Sequence, residues 1–357
     1  MTKLSVCIPV YNGEKYIGTT IHSILNQTFK DFELIISDNC STDNTLSTIK
    51  EFSDERIRLI ENDEHTPMYP NFNRCLRAAR GEYIKFLLAD DYFITKTALS
   101  RYVDVLDNNN DVGIVSCLAI PVDRNDIFLY GYYGSRLEKH TCKLVSRFLK
   151  NSQSTRIVSY DTVSNDNFNE SEMSASFLPD TKILGKKLIN IIYRSGTDRF
   201  CQSPTHTCFR RDLIKDTGLF NEEVSSGWGT ETEYWTRILL KSNFYKINYP
   251  LVAFRLHPES ATESIHKRKR QFIDLFHNYN LILKNCANEL TYPSKIIGSL
   301  NLNYNVIKQF IRALINREGI LFDQISLGIK RGHLFFFLAL VLFPAISTIK
   351  KCGNDLF

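Results

Sequence analysis

Residues 4–14 read Leu-Ser-Val-Cys-Ile-Pro-Val-Tyr-Asn-Gly-Glu, a mostly apolar run followed by turn residues. The run has the length and composition of a buried strand, and Tyr11-Asn12-Gly13 predicts the turn that ends it. Apolar residues then recur at helical spacing from Ile17 to Leu25, which predicts a helix directly after the turn. The sequence therefore starts with a strand that is followed by a helix.

The same alternation continues through the first third of the chain. Apolar runs predict further strands at 32–36, 56–60, 83–88 and 112–120, and helical patterns fall between them, from residue 42 and over 71–80. Strands that alternate with helices indicate an α/β fold in which a mostly parallel central sheet has helices on both faces. Residues 122–200 have no strong period, and helical patterns dominate after residue 266, so we expect a C-terminal helical appendage.

Charge is divided unevenly along the 357 residues. Residues 266–357 carry 13 Lys or Arg against 5 Asp or Glu, although the net charge of the whole chain is only +5. The remainder is therefore acidic and has no basic stripe, which argues against nucleic acid as a partner. A basic C-terminal quarter suits the anionic surface of a membrane.

The nine cysteines are scattered and include no Cys-x-x-Cys pair. Neither a disulfide framework nor a zinc ribbon is indicated by this distribution. No signal-peptide pattern follows Met1, and we therefore expect a reducing, cytoplasmic setting.

Three predicted strands end in polar clusters, at 9–14, 38–43 and 90–91. In an open α/β sheet, ligands bind just beyond the carboxyl ends of the strands, so these clusters mark the expected binding edge. Asp90 and Asp91 follow a buried strand, where two adjacent carboxylates need solvent or a cation, and hard divalent metals prefer such oxygen ligands. The alternatives are that an Asp caps the next helix and that Asp38 only forms an Asx turn.

Two later segments carry groups that could act on a substrate. Glu231 and Glu233 precede an apolar helical stripe, where a carboxylate could serve as a general base or could only pair with the helix dipole. Arg255 and His257 lie in a predicted exposed loop after a strand. The chain has no Gly-x-Gly-x-x-Gly, Walker or Gly-x-Ser-x-Gly motif, which argues against a dehydrogenase, a kinase or an α/β-hydrolase.

Taken in order, these segments resemble family 2 glycosyltransferases with the GT-A fold, a Rossmann-like α/β architecture, over about residues 3–260. The resemblance is carried by residues 5–16, 23–28, 33–43 and 79–91, and more weakly by 210–213, 218–220, 231–237 and 255–257. Two positions depart from the family pattern. The usual Asp-x-Asp is Leu88-Ala89-Asp90 here, which lacks the first carboxylate, and the usual acidic base is Glu231 instead of Asp.

The resemblance implies an inverting glycosyltransferase that moves a sugar from a nucleoside-diphosphate donor, commonly a UDP-sugar, to an acceptor hydroxyl. Asp90 and His257 would bind Mn²⁺ or Mg²⁺, and Glu231, or else Glu233, would take the acceptor proton. Trp228, Arg255 and His257 would contact the acceptor or the diphosphate. The residues implied in donor binding are Pro9, Val10, Tyr11, Asn12, Glu14, Asp38, Asp43, Asn73, Ala89, Asp90 and Asp91.

The same resemblance divides the chain into three parts. Residues 1–120 would bind the donor, residues 121–262 would complete the GT-A domain with the acceptor and catalytic half, and residues 263–357 would form the helical region. The apolar segment Leu334–Ile346 is shorter than the ~20 residues of a membrane-spanning helix, so we expect it to lie at a membrane surface or to dock on the protein. The expected setting is the inner face of the cytoplasmic membrane. There a glycan or lipid-linked glycan would be extended in the synthesis of a bacterial surface polysaccharide.

The main alternative is a catalytically inactive nucleotide-sugar or glycan-binding module on the same fold. The missing carboxylate at Leu88 would favour this alternative. A nucleotidyltransferase matches less well, because it would need a Gly-rich, basic phosphate loop where Tyr11-Asn12-Gly13-Glu14 stands.

Overall fold

The computed structural model describes residues 2–129, 179–195, 200–223, 229–260 and 271–301. The strands in these ranges are β1 (Leu4–Val10), β2 (Phe32–Asp38), β3 (Ile57–Glu61), β4 (Tyr83–Phe86), β5 (Tyr92–Phe93), β6 (Val112–Val122), β7 (Thr181–Ile183), β8 (Thr207–Arg210) and β9 (Asn243–Arg255). The helices are α1 (Ile17–Leu25), α2 (Thr45–Lys50), α3 (Met68–Ala78), α4 (Ala98–Asn108), α5 (Gly185–Ser195), α6 (Ile214–Thr217), α7 (Thr230–Leu239) and α8 (Gln271–Asn285). A 3₁₀ turn, Pro204–His206, precedes β8.

The described strands form one sheet, whose main path runs β3-β2-β1-β4-β8-β6-β9-β5, with β7 beside β9. The strands β3, β2, β1 and β4 are parallel to their neighbours, as the alternation of strands and helices predicts. Beyond β4 the sheet is mixed, because β8 is antiparallel to both β4 and β6, whereas β6 and β9 are parallel. The parallel arrangement thus describes the first half of the sheet.

Helices cover both faces of the sheet, as predicted. On one face α1, α2 and α4 pack through a core cluster in which Ile21 and Leu99 are fully buried. On the other face α3, α5, α7 and α8 pack through a second cluster, which contains Ile189, Trp235 and Tyr279. Two apolar cores, one on each face of a sheet, are the arrangement that stabilises a domain of this class.

The sheet brings the carboxyl ends of several strands to one edge. β1 and β2 are in register from Leu4 opposite Phe32 to Val10 opposite Asp38, so the loops that follow them lie side by side. Antiparallel pairing sets Tyr92 of β5 opposite Ala253 of β9. The loop between β4 and β5 therefore lies beside the end of β9, and the polar clusters after these strands share this edge.

Two differences from the sequence-based expectations concern how the chain reaches this edge. The helix α4 was not predicted, although its buried residues Leu99, Tyr102 and Leu106 follow helical spacing. The loop predicted around residues 254–260 is exposed at Pro258 and Glu259, but the prediction that Arg255 and His257 are exposed is wrong, because they are only 3% and 9% exposed. Arg255 still belongs to β9 and is covered by the residues of the neighbouring loops.

The described part of the C-terminal region packs on the second face of the sheet. Asn190 of α5 holds the segment after α8, donating from Nδ2 to the carbonyl of Glu289 and accepting from the N–H of Thr291, both at 2.8 Å. Over the described ranges, no helix combines the length and the apolar character that a membrane crossing requires. The segment Leu334–Ile346 lies outside the residues that the structure describes.

Candidate active site

The loops that follow β1 and β2 are interlocked by hydrogen bonds. The backbone N–H of Asn12 donates to Ser41 Oγ at 2.9 Å, and Asn12 Oδ1 accepts from the N–H of Thr42 at 2.8 Å. Two residues after Asn12, Glu14 Oε2 accepts from the backbone N–H of Asn44 at 2.9 Å. Because each loop supplies donors and acceptors to the other, the two loops hold each other in a fixed shape.

Asp43 anchors the second loop at the start of α2. Its carboxylate accepts from the Thr45 hydroxyl and backbone N–H and from the backbone N–H of Glu14. Burial favours the neutral acid, but these hydrogen bonds outweigh it and hold the pKa of Asp43 below its usual value. Asn12, Glu14 and Asp43, which the resemblance assigns to donor binding, therefore connect the two loops to each other.

Asp38 forms the Asx-type turn that the sequence left open as an alternative. It is 1% exposed, and its two oxygens accept from Ser41 Oγ at 2.5 Å and Ser41 N–H at 3.0 Å. The turn passes through Cys40, whose φ of 61° lies in the left-handed region. That region costs a residue with a side chain about 1–2 kcal/mol, and the Cys40 thiol donates to the carbonyl of Asn62 at 2.9 Å.

Cys40 offers a direct test of this loop conformation. We expect Cys40→Gly to raise the free energy of unfolding by up to about 1 kcal/mol, because glycine adopts a positive φ without steric cost. Cys40→Val should lower it by at least about 1 kcal/mol, because a β-branched side chain is strained there. Thermal denaturation of the three proteins measures the difference. A glycine variant that melts below the valine variant would contradict the assigned conformation.

Tyr11 presents an aromatic ring to solvent beside these loops. It directly follows β1, is 48% exposed, and its ring centroid lies 4.4 Å from that of His65. His65 Nδ1 lies 3.1 Å from the carbonyl oxygen of Asn39, which ties the segment after β3 to the same edge. His65 is absent from the sequence-based site, although the polar run after β3 is a fourth strand-end cluster that could have revealed it.

The loop between β4 and β5 is held on its backbone side by α1. Thr20 Oγ1 lies 2.8 Å from the carbonyl oxygens of both Ala89 and Asp91. Asp91 is 1% exposed, and its carboxylate accepts from Thr205 Oγ1 at 2.5 Å and from the backbone N–H of Arg255 at 2.9 Å. Burial, together with repulsion from Asp90, raises the pKa of Asp91 well above its usual value.

Asp90 is the carboxylate of this loop that remains open to solvent, with a side chain 25% exposed. Its Oδ2 lies 3.0 Å from Nε2 of His257, whose Nδ1 lies 3.2 Å from Glu259 Oε2. The hydrogen bond with Asp90 contributes most to a raised pKa of His257, and burial opposes it. Across the described residues, no three His, Cys, Asp or Glu side chains form a group that could hold a metal ion.

Arg255 contacts the Asp90 loop through its buried side chain. Its side chain is 2% exposed and forms an ion pair of 2.7 Å with Asp126. Its Nε donates to the backbone carbonyl of Asp90 at 2.9 Å, and its guanidinium lies 4.4 Å from the centroid of the Tyr16 ring. The ion pair with Asp126 already neutralises the charge of the Arg255 guanidinium. The resemblance had assigned this side chain to contact with the acceptor or the diphosphate.

The two glutamates of α7 differ sharply in their surroundings. Glu233 is 2% exposed, and both of its oxygens pair with Arg237, at 2.8 and 2.9 Å. Asn285 of α8 donates to the same carboxylate at 3.2 Å. Glu231 is half-buried and lies in the first turn of the helix, so it is the more accessible of the two.

One side of α7 faces the segment that precedes the 3₁₀ turn Pro204–His206. Trp235, one helical turn after Glu231, donates from Nε1 to the carbonyl of Gln202 at 3.4 Å. Gln202 lies three residues before Thr205, which contacts Asp91. Residues four apart share one face of a helix, so Glu231 lies on the side of α7 that faces this segment. Trp228 lies outside the described residues.

Asn73 lies apart from these groups. It is fully buried in α3, its Oδ1 accepts from the N–H of Phe220 at 3.0 Å, and its Nδ2 donates to the Phe220 carbonyl at 2.9 Å and to Glu222 at 2.7 Å. Its amide therefore fastens α3 to the turn after α6. Pro9 and Val10 are the last residues of β1 and lie at the binding edge.

The sequence matches known glycosyltransferases. A family model described as glycosyl transferase family 2 matches residues 5–164. The UDP-Glc:alpha-D-GlcNAc-diphosphoundecaprenol beta-1,3-glucosyltransferase WfgD of Escherichia coli is 37% identical over 106 residues, which are 30% of this chain and 42% of that protein. The poly(ribitol-phosphate) beta-N-acetylglucosaminyltransferase TarS of Staphylococcus aureus is 32% identical over 120 residues, 32% of this chain and 21% of TarS. The chain thus spans less than half the length of these curated relatives.

Two solved structures share the fold. TarS residues 1–349 in complex with UDP align with a TM-score of 0.54 at 19% identity, covering 79% of this chain and 66% of that chain. The mannosyltransferase PcManGT from Pyrobaculum calidifontis, in complex with GDP-Man and Mn²⁺, aligns with a TM-score of 0.50 at 13% identity, covering 93% and 88%. At these identities the likeness concerns the fold, and the GT-A architecture expected from the sequence is confirmed.

Proposed function

We propose that the chain is an inverting glycosyltransferase that uses a UDP-sugar donor and an acceptor hydroxyl, because a model of glycosyl transferase family 2 matches residues 5–164. UDP is supported by the nucleotide in the TarS complex and by the donor in the name of the E. coli relative. The exposed ring of Tyr11, with His65 beside it, offers a surface on which the uracil would stack. Asn12, Glu14 and Asp43 would keep the surrounding loops in shape.

The observation that carries the proposal is the convergence of Asp90 and His257 at the carboxyl edge of the sheet. Their side chains approach to 3.0 Å, and the interlocked loops after β1 and β2 lie at the same edge. Nucleotides commonly bind where the loops of adjacent parallel strands meet. A carboxylate and an imidazole at this edge suit a diphosphate that is bound together with a divalent cation.

Asp90 and His257 would hold a Mn²⁺ or Mg²⁺ ion whose remaining ligands would come from the donor and from water. Such ions are commonly held by one or two protein side chains together with substrate phosphates and water, so a closed protein site of three ligands is not required. Glu259 would accept a hydrogen bond from Nδ1–H of His257 and so leave Nε2 free to bind the ion. When bound, the metal supplies positive charge that stabilises the departing diphosphate.

We propose Glu231 as the general base. The acceptor hydroxyl would give its proton to this carboxylate as its oxygen attacks the anomeric carbon, while the bond to the diphosphate breaks on the opposite side. A single displacement of this kind inverts the anomeric centre. Glu233 is less suited to the role, because the ion pair with Arg237 occupies both of its oxygens.

The acceptor that we propose is a glycan or lipid-linked glycan in the synthesis of a bacterial surface polysaccharide. The support is the diphosphoundecaprenol and poly(ribitol-phosphate) acceptors in the names of two relatives. A lipid-linked acceptor would bring the chain to the inner face of the cytoplasmic membrane, where the basic residues of 266–357 suit anionic lipid.

Leu88, which stands where the family carries the first carboxylate of Asp-x-Asp, favours a second candidate, a donor-binding module without turnover. Incubation of the full chain with a set of nucleoside-diphosphate sugars and of acceptors that carry sugar or ribitol hydroxyls, in Mn²⁺ or in excess EDTA, separates the two. The expected result is Mn²⁺-dependent release of UDP that stops with EDTA and returns when Mn²⁺ is restored. Donor binding without release would identify the module, and neither binding nor release with any donor would overturn both candidates.

A further inference from the structure

One buried hydroxyl forms hydrogen bonds with two residues of the loop that carries Asp90. Thr205 is fully buried, and its Oγ1 accepts from the backbone N–H of Leu88 at 3.2 Å while it donates to Asp91 Oδ2 at 2.5 Å. A hydroxyl has one donor hydrogen and two acceptor lone pairs, so it can make both bonds at once. The two contacts hold the loop on either side of Asp90.

The position of this hydroxyl is set by the same strand that leads into the loop. Lys85 of β4 is fully buried and donates from Nζ to the backbone carbonyl of Thr205. Burial lowers the pKa of Lys85 to about 8. Tyr102 fixes the next residue, donating from its hydroxyl to the carbonyl of His206 at 3.0 Å. The turn that carries Thr205 is therefore anchored from two elements.

Asp91 connects Thr205 to the segment that carries His257. One of its oxygens accepts from Thr205 Oγ1 and the other accepts from the backbone N–H of Arg255, two residues before His257. The turn before β8, the Asp90 loop and the end of β9 are thus joined through one buried carboxylate.

We propose that Thr205 is a positioning residue that sets the geometry of Asp90 and His257 for a divalent cation. The family's first carboxylate is absent at Leu88, and the Leu88 backbone N–H is instead fixed by this hydroxyl. Loss of the hydroxyl would leave that N–H unsatisfied and remove a hydrogen bond from the buried Asp91. The loop would then shift relative to the end of β9, and the two side chains would no longer converge on one cation.

The test compares Thr205→Val, which keeps the shape of the side chain, with Thr205→Ser, which keeps the hydroxyl. Free Mn²⁺ is measured by electron paramagnetic resonance in the presence of the full chain and UDP. We expect Thr205→Val to weaken Mn²⁺ binding by roughly 10- to 100-fold, the range usual for residues that orient metal ligands, and Thr205→Ser to restore most of the affinity. The control is Thr236→Val, which removes another buried hydroxyl, one that donates to the carbonyl of Glu233.

A merely structural role would lower the melting temperature of Thr205→Val and leave its Mn²⁺ affinity equal to that of the unchanged chain, which would overturn the inference. If the valine variant does not fold, Thr205→Cys, with its weaker donor, takes its place, and an unaltered affinity there has the same meaning.

The inference rests on the proposed function only for the role of the cation. An active chain with an insensitive Thr205 refutes the inference alone. An inactive chain whose Mn²⁺ affinity depends on Thr205 refutes the proposed function alone, and a chain that binds no Mn²⁺ with UDP refutes both.

Discussion

Replacement of Asp90 by Asn is expected to lower kcat/KM by at least about 100-fold, because charge stabilisation by a metal contributes several kcal/mol and each 1.36 kcal/mol is tenfold. Asn has nearly the same shape as Asp and can still form a hydrogen bond with His257. The substitution therefore removes the negative charge that would hold the cation and leaves the loop in place. The partly exposed position of Asp90 means that the melting temperature should change little.

Asp104→Asn provides the matched control, because Asp104 is an exposed carboxylate on α4, outside the binding edge. UDP release is measured for the two variants and the unchanged chain over a range of Mn²⁺ concentrations. The Asp90→Asn variant should also need more Mn²⁺ to reach half of its maximal rate. Turnover within about threefold of the unchanged chain, a difference of under 1 kcal/mol, would exclude Asp90 from metal binding.

Glu231→Gln is expected to lower kcat for transfer by about 10²- to 10⁴-fold, the usual contribution of a general base. Glutamine cannot accept the acceptor proton, but it preserves the size of the side chain at the start of α7. The affinity for UDP should stay unchanged, because Glu231 is not among the groups that we assign to the donor. Transfer kinetics together with calorimetric titration of UDP separates the two effects.

Glu233→Gln is the informative comparison for the general base. It removes the charge that Arg237 pairs with, at a site where the glutamate side chain is 2% exposed, and breaking a buried ion pair costs about 3–5 kcal/mol of stability. We therefore expect this variant to melt at a markedly lower temperature. If Glu233→Gln stops transfer without a change in melting temperature, while Glu231→Gln stays active, then the base is Glu233.

The first half of the fold follows from local sequence. The apolar run at Leu4–Val10 and the helical spacing from Ile17 to Leu25 each fix an element within a few residues, and short βα connections make the neighbouring strands parallel. The direction of β8 does not follow from local sequence. It depends on how the chain returns to the sheet after residues 122–200, where no period marks the elements, so periodicity could not reveal that this half of the sheet is mixed.

The candidate site divides in the same way. Asp90 and His257 could be proposed as site residues from the sequence, because their residue types and a family pattern indicate metal binding. The surroundings of Arg255, Asn73 and Thr205 could not, because each depends on partners distant in sequence, such as Asp126, Phe220 and Asp91. A motif names the side chains that carry chemistry, and only the packed structure distinguishes those that meet a ligand from those that hold the others in place.

The contact between α8 and α7 bears on how short a working version of this protein can be made. Tyr279 and Ile282 of α8 are buried against the same apolar cluster as Trp235, and Asn285 reaches the carboxylate of Glu233. A chain cut near residue 262, where the resemblance to the family ends, would expose this flank of α7 to water. Such a fragment should associate through the newly exposed surface, so recombinant truncations should keep α8 and the segment after it that Asn190 holds, up to at least Thr291.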